Sequence, residues 1–289
     1  MYKVIFVIIC IFILCYIYIK YNVNALEVKK YTIENHKIPK EFDGYNIVQI
    51  SDLHSKLFGK NNERLFAKIK ELNPDIVVIT GDLVDGENDN YWVALDFMKE
   101  LTKLYRVYYI IGNHEQKALI KKYKNEYKEY FEKLYNMDFV NLDNKKVEIQ
   151  KENSKINLYG LTIPYSCYKY LFQSTENTDI DKDFLVEKLG DIDSNQFNIL
   201  LSHTPSYFEE YEKWGADLIL CGHVHGGIIR IPFLGGLLSP DRKFFPKYDL
   251  GVYTKDKSTM IVNKGLGGSK VLIRVNCKPE IVGIKLKRK

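Results

Sequence analysis

The fold follows from the stretch DLILCGHVHGG, residues 217–227. Its apolar first part predicts a buried strand, and the glycines around the histidines leave the backbone free to turn where that strand ends. His223 and His225 are one residue apart, so on extended backbone their imidazoles lie on the same side and converge beyond the strand. A His-x-His pair alone is weak evidence for a metal site, and its interpretation depends on the rest of the chain.

Four other predicted strands also end in a turn that carries Asp, Asn or His. These strand-and-turn segments are residues 45–54, 75–86, 106–115 and 197–205. Apolar residues at helical spacing follow the first three, over about 61–73, 91–104 and 116–136, and a shorter helix is predicted before residue 213. Strands that alternate with helices predict βαβ crossovers and a largely parallel sheet. The C-terminal part, from Ser258 to Leu286, predicts two or three antiparallel strands.

The histidines are concentrated at the ends of these strands. The 289-residue chain has six histidines, and five of them lie in four of these five turns. Ligands of open α/β sheets bind beyond the carboxyl ends of the strands, so these side chains are candidate metal ligands. Any one of the Asp or Asn residues could simply cap a helix, whereas the whole set at five strand ends favours a site. Nitrogen and oxygen ligands without thiolate suit Mn²⁺, Fe²⁺, Co²⁺ or Zn²⁺, and there are enough of them for two ions.

The ordered blocks Asp-x-His, Gly-Asp, Gly-Asn-His-Glu, His and Gly-His-x-His run from Ser51 to Gly227 and resemble the calcineurin-like metallophosphoesterase superfamily. The chain is similar within it to small bacterial phosphoesterases with an N-terminal membrane or export segment. The resemblance implies an α/β fold, a four-layer α/β/β/α sandwich of two mixed sheets. It also implies hydrolysis of a phosphoester by a hydroxide activated between two divalent metal ions.

The resemblance also assigns the residues of the site. It implies that one ion is held by Asp52, His54, Asp82 and His225. It implies that the second is held by Asp82, Asn113, His203 and His223, with Asp82 bridging the two. His114 is implied to be the catalytic residue, which stabilises charge or protonates the leaving oxygen. We expect Asp85, Glu115 and Arg230 to surround the site rather than to bind metal.

The apolar run from Val4 to Ile19 predicts a membrane or export segment. Its sixteen residues are slightly fewer than the roughly 17 to 25 of a spanning helix, but tyrosines at its end can anchor it at the interface. The sequence Val23-Asn24-Ala25 resembles a signal-peptidase site, so a removed signal peptide is the alternative to an uncleaved anchor. We favour the anchor. Residues 1–21 are then a transmembrane or signal-anchor segment, 22–44 a tether and edge strand, and 45–289 the metallophosphoesterase domain.

Lysines on both sides of the apolar run leave its orientation open. We expect a cell-membrane protein with a single N-terminal anchor and an extracytoplasmic catalytic domain. The formal net charge of +5 is spread thinly, so the chain has no nucleic-acid-binding signature. Five cysteines without CxxC spacing predict neither a disulfide framework nor a cysteine zinc site.

The substrate and the oligomeric state are left open by the sequence. The apolar loop from Ile231 to Leu238 directly follows the last histidine turn, and we expect it to shape access to the metals. Such a loop beside a membrane anchor favours a lipid- or envelope-linked phosphoester, of which a UDP-2,3-diacylglucosamine-type pyrophosphate is one example. The alternative function is a non-catalytic protein-binding scaffold. The complete ligand set argues against it.

Overall fold

Two mixed six-stranded sheets form the centre of the protein, whose computed structural model describes residues 2–87, 89–120, 122–168, 180–240, 244–268 and 273–289. The strands are β1 Glu27–Asn35, β2 Asn46–Ile50, β3 Ile76–Thr80, β4 Val107–Ile110, β5 Val140–Asn141, β6 Lys145–Lys151, β7 Ser154–Leu161, β8 Asn198–Ser202, β9 Leu218–Cys221, β10 Arg230–Ile231, β11 Gly235–Gly236, β12 Gly251–Lys255, β13 Ser258–Val262 and β14 Glu280–Arg288. The helices are α1 Tyr2–Asn24, α2 Glu63–Glu71, α3 Trp92–Leu104, α4 Asn113–Leu119, α5 Lys124–Tyr135, α6 Lys182–Leu189 and α7 Phe208–Trp214.

The first sheet has the strand order β1-β14-β2-β3-β4-β5, and the second has the order β12-β13-β9-β8-β7-β6. Strands β2 to β5 run parallel to one another, as do β7, β8, β9 and β13. Helices connect most of these parallel strands, as the alternating pattern predicts. The antiparallel pairs β14–β2, β6–β7 and β12–β13 make both sheets mixed.

Successive side chains of the central strands point to opposite faces and enter different apolar clusters. In β2, Ile47 packs between the two sheets, whereas Val48 packs against the helices that cover the first sheet. In β8, Ile199 lies between the sheets, and Leu200 packs with Tyr211 of α7 on the outside of the second sheet. Three apolar layers thus separate four structural layers. The predicted α/β/β/α sandwich of two mixed sheets is confirmed.

The predicted pairing of the C-terminal strands is wrong. Strand β13 lies between β12 and β9 in the second sheet, whereas β14 lies between β1 and β2 in the first. Most side chains of both strands are buried. A strand that is apolar on both faces is stabilised inside a sheet, between two neighbours, rather than in a hairpin with one exposed face. The predicted helix over 116–136 also differs, because α4 and α5 are separate helices.

Helix α1 is long and apolar enough to cross a membrane, judged by length and composition. Most of its side chains from Val4 to Ile19 are exposed, and the helix continues to Asn24. The strand that follows, β1, lies at the edge of the first sheet and pairs in parallel with β14. The division of the chain into residues 1–21, 22–44 and 45–289 stays a prediction.

Candidate metal centre

The five predicted turns meet at one place, at the carboxyl ends of β2, β3, β4, β8 and β9. Three groups of side chains have ligand atoms within 4.8 Å of one another. The groups are Asp52–His54–His225, His54–Asp82–His114 and Asp82–His203–His223. Asn113, the remaining predicted ligand, has its Oδ1 atom 3.0 Å from Nε2 of His203. All seven predicted ligands and His114 therefore belong to one cluster.

Asp82 lies at the middle of this cluster. Its Oδ2 atom is 3.0 Å from Nε2 of His203 and 3.8 Å from Nε2 of His54. Its Oδ1 atom accepts a hydrogen bond of 2.9 Å from the backbone N–H of His114. The backbone of Asp82 has φ 56°, a left-handed conformation that follows directly on Gly81 at φ 94°. This sharp bend at the end of β3 turns the carboxylate toward both groups of histidines, which suits the bridging position predicted for it.

Asp52 connects the first turn to the last one. The backbone N–H of His223 lies 3.1 Å from each carboxylate oxygen of Asp52, and Nε2 of His225 lies 3.6 Å from Oδ1. The two turns approach each other so closely that a Cβ atom at Gly222 would lie 1.9 Å from Oγ of Ser51 and 2.4 Å from Oδ2 of Asp52. Residue 222 must therefore be glycine for the carboxylate to keep this position.

The polar atoms of His54 support the interpretation of the cluster as a metal site. His54 is buried, and neither of its ring nitrogens forms a hydrogen bond with the described residues; the neighbouring carboxylate oxygens of Asp85 and Asp82 lie 3.5 Å from Nδ1 and 3.8 Å from Nε2. A buried polar group without a partner is costly, and an ion bound to the imidazole would remove that cost. The donor set of imidazole, carboxylate and amide oxygen is one that divalent transition metals accept. The residues present thus fit the metal ions that the family resemblance implies.

His203 gives a second indication of a cation. Its Nδ1 donates a hydrogen bond of 2.6 Å to the Thr80 carbonyl, so Nε2 faces the oxygens of Asp82 and Asn113. Without an ion, a proton must separate this nitrogen from the two oxygens. Burial disfavours the charged ring, but the Asp82 carboxylate, Asp52 and the Thr80 carbonyl together outweigh it and raise the pKa of His203 to about 10. The position therefore attracts positive charge, as a metal position does.

Glu115 holds the turn that carries Asp82. Its buried carboxylate accepts hydrogen bonds from four backbone N–H groups, those of Asp82 at 2.9 Å, Leu83 at 2.6 Å, Val84 at 3.3 Å and Gly112 at 2.8 Å. Burial and the nearby Asp82 carboxylate raise the pKa of Glu115 to about 7, although the backbone donors act in the opposite direction. The predicted place of Glu115, beside the site rather than on a metal, agrees with these contacts.

His114 is the one predicted site residue that is not fully buried, with a side chain 15% exposed. Its Nδ1 lies 2.6 Å from the Asp85 carbonyl, to which it donates a hydrogen bond, so the ring is fixed and Nε2 carries a proton only when the ring is charged. Burial lowers the pKa of His114, and the neighbouring Asp82 carboxylate only partly offsets this effect. Asp85 also approaches His54, because its Oδ1 atom lies 3.5 Å from Nδ1 of that ring. It contacts histidines of the site, as predicted for a surrounding residue.

Arg274 is a component of the site that the sequence did not indicate. The buried guanidinium donates hydrogen bonds to the carbonyls of Lys264 at 2.9 Å and Gly265 at 3.1 Å, and Nη2 lies 3.3 Å from Nδ1 of His225. No motif or periodicity surrounds this residue. The glycines before it are a better signal, because a Cβ atom at Gly265 would lie 2.6 Å from Cβ of Asp52. Repeated glycine in an otherwise strand-like segment could have predicted such a close approach.

The sequence profile of the calcineurin-like phosphoesterase family matches residues 45–227, which is more than half of the chain and contains every residue of the cluster except Arg274. The chain belongs to this family. The predicted resemblance is confirmed, and the general class of reaction that it supports is hydrolysis of a phosphoester with divalent metal ions.

The chain is similar over nearly its whole length to several metallophosphoesterases. It is 28% identical to the uncharacterized metallophosphoesterase YkuE of Bacillus subtilis over 91% of this chain and 86% of that protein. It is 28% identical to an uncharacterized metallophosphoesterase of Aquifex aeolicus over 91% of this chain and 93% of that protein. It is 27% identical to a Danio rerio protein named transmembrane protein with metallophosphoesterase domain, over 92% of this chain and 59% of that protein.

Proposed function

We propose that this protein hydrolyses a phosphoester with two divalent metal ions bound at the candidate metal centre. The convergence of six ligand side chains around a seventh, Asp82, is the observation that carries this proposal. One ion would be held by Asp52, His54, Asp82 and His225. The other would be held by Asp82, Asn113, His203 and His223. When bound, the ions supply Lewis acidity, which activates the attacking water and neutralises charge on the phosphate oxygens.

The chain itself supplies orientation and a proton. Backbone N–H groups hold the carboxylates of Asp52 and Asp82, so their positions are set before substrate binds. The Asp85 carbonyl accepts a hydrogen bond from Nδ1 of His114, and Nε2 of this partly exposed ring, when the ring is in its charged form, gives its proton to the leaving oxygen. The role of His114 is thus general acid catalysis at the open side of the site.

We assign the substrate to the lipid- or envelope-linked phosphoesters, with a UDP-2,3-diacylglucosamine-type pyrophosphate as one member to be tested. Helix α1, whose composition suits a membrane, and relatives named as transmembrane proteins support this assignment. They also support the proposed cell-membrane location with a single N-terminal anchor. An extracytoplasmic catalytic domain is part of the proposal, and protease digestion of intact cells tests it.

The test compares Asp82→Ala, His114→Ala and the control His36→Ala, which removes the exposed histidine outside the cluster. We expect the wild type and the control to contain two ions per chain and to hydrolyse bis-p-nitrophenyl phosphate. Asp82→Ala should lose metal and turnover together, whereas His114→Ala should retain metal and turn over about 100-fold more slowly. Metal is measured by elemental analysis of the purified full chain.

Two results would contradict parts of the proposal. Full activity of His114→Ala would remove this residue from the mechanism. A fully metallated wild type that hydrolyses no monoester, diester, phospholipid or UDP-sugar lipid with Mn²⁺, Zn²⁺ or Mg²⁺ would instead favour the protein-binding scaffold.

A further inference from the structure

The hairpin formed by β10 and β11 exposes large apolar side chains at its tip. Phe233 is fully exposed, and Leu234 is 64% exposed. Phe233 also has φ 68°, a left-handed conformation that a bulky residue rarely adopts and that glycine or asparagine would adopt more easily. An aromatic side chain at such a position contributes nothing to the core. Its presence indicates a contact outside the chain.

This hairpin lies beside the C-terminal part of α1. Asn276 connects the two, because its Nδ2 donates a hydrogen bond of 3.1 Å to the Arg230 carbonyl and its Oδ1 accepts one from the Tyr18 hydroxyl. Two residues further on, Nζ of Lys278 lies 5.0 Å from the ring centre of Tyr21. Arg230, the first residue of β10, is therefore connected to the last two turns of the helix through a single intervening side chain, that of Asn276.

The length of the apolar run places the bilayer surface at the level of these contacts between α1 and the folded domain. The sixteen residues from Val4 to Ile19 span about 24 Å as a helix, somewhat less than the roughly 30 Å of a hydrocarbon core. No apolar turn is left to lift the folded domain away from the membrane. The interface then falls near Tyr18 and Tyr21, residues of the kind that prefer the headgroup level. These are the residues that Asn276 and Lys278 contact.

Cationic side chains fix the end of α1 to the folded domain. Lys56 donates hydrogen bonds to the carbonyls of Val23 and, at 3.3 Å, Leu266. Arg64 donates one of 3.2 Å to the Asn24 carbonyl. Positive charge at a helix C-terminus is favourable, because the last carbonyls have no partner within the helix. The orientation of the domain relative to the membrane is set by these contacts, so the hairpin keeps its place at the surface.

We propose that the β10–β11 hairpin is a second membrane contact of this protein, with Phe233 and Leu234 inserted in the lipid interface beside α1. The hairpin is also tied to the metal centre, because Arg230 donates hydrogen bonds to the Gly226 carbonyl at 3.1 Å and to the Asp249 carboxylate at 2.7 Å. Insertion of the tip holds the last histidine turn at a fixed height above the bilayer. The proposed contact of the hairpin with lipid can be measured without any enzymatic turnover.

The experiment places a tryptophan at the tip. The full chain carrying Phe233→Trp is reconstituted, one copy per disc, in phosphatidylcholine nanodiscs with or without brominated acyl chains, which quench tryptophan on contact. The control is Leu104→Trp, an exposed apolar position at the C-terminus of α3. It lies just before the start of β4, whereas the metal centre lies at the carboxyl end of that strand. The signal of the native Trp92 and Trp214 is subtracted with the wild type.

We expect brominated lipid to reduce the emission of the introduced Phe233→Trp tryptophan at least about twofold and to leave that of Leu104→Trp unchanged, because interfacial side chains reach the acyl boundary. The single variant Ile231→Trp should also be quenched, and the triple variant Ile231→Trp, Phe233→Ser, Leu234→Gly should lose most of that quenching. Equal quenching at positions 233 and 104 would overturn the proposal. So would a blue-shifted but unquenched Phe233→Trp emission, which would mean that the tip packs against protein.

Discussion

Replacing Glu115 by glutamine should release the turn that carries Asp82, without changing the size of the side chain. Each oxygen of the Glu115 carboxylate accepts two backbone N–H groups, Oε2 from Asp82 and Gly112, and Oε1 from Leu83 and Val84. A glutamine can place its oxygen toward one pair only. Its amide NH₂ then faces the other two N–H groups, which are buried donors without an acceptor.

The loss can be estimated from these contacts. A hydrogen bond to a charged group contributes about 1.5 to 3 kcal/mol, so two of them give a loss of about 3 to 6 kcal/mol in the free energy of unfolding. Glutamine also removes a buried charge whose pKa is raised from 4.5 to about 7, which returns about 3 kcal/mol at pH 8, so the net loss is up to about 3 kcal/mol. The same change at Glu148 is the matched control, because that carboxylate forms one exposed ion pair with Lys155, and solvent screens such a pair.

The assay is urea unfolding of the metal-free full chain in detergent micelles at pH 8, where Glu115 is ionised. Fluorescence of the buried Trp214 reports on the folded state. Both variants should keep the slope of the wild type, and Glu115→Gln should lower the midpoint further than Glu148→Gln does. If the two variants lose the same small amount, the four donors do not depend on Glu115 and the reasoning is refuted.

Three further predictions test the surroundings of the site. Gly222→Ala should lower metal affinity at least about tenfold, because its Cβ displaces Asp52, whereas Gly190→Ala, whose Cβ meets nothing within 4 Å, should bind metal normally in a calorimetric titration. Lys264→Met should lower the free energy of unfolding by about 3 to 5 kcal/mol, since it leaves the buried Glu280 carboxylate, 3.0 Å from Nζ, without its cation; an unchanged urea midpoint would contradict this. Removal of metal with a chelator should abolish turnover and Mn²⁺ should restore it, and turnover that survives chelation would exclude the metal centre as the catalyst.

The sequence was sufficient to predict the framework of the site because the same local pattern occurs at each of its five parts. A buried strand followed by a turn with Asp, Asn or His requires only period-2 burial and a sharp bend, and both are visible in the residues. The parallel sheet then brings the strand ends together by topology. The structure accordingly places Asp52, Asp82 and His203 in one cluster although they are far apart in sequence.

Other parts of the structure depend on long-range packing that leaves no local trace. Strands β13 and β14 are close in sequence but belong to different sheets, and their apolar patterns alone cannot distinguish the two. Arg274 is buried with backbone carbonyls as its partners, so its environment comes from the path of a loop rather than from a residue pattern. Glu115 was predicted to lie beside the site, but its four backbone contacts follow from the meeting of two turns.

The described residues after 262, which are 263–268 and 273–289, connect α1 to the candidate metal centre. They lie outside the matched family profile, which ends at residue 227. Among them, Gly265 packs against Asp52, Arg274 approaches His225, and Asn276 contacts both α1 and the hairpin. The predicted metal ligands therefore belong to the part of the chain that the family profile covers, whereas the contacts of Asn276 and of the hairpin beside α1 lie outside it. Lys56 and Arg64, which also hold the end of α1, lie inside it, so differences among relatives in how α1 is held should be sought around these residues, in the C-terminal segment and in the hairpin rather than in the ligand turns.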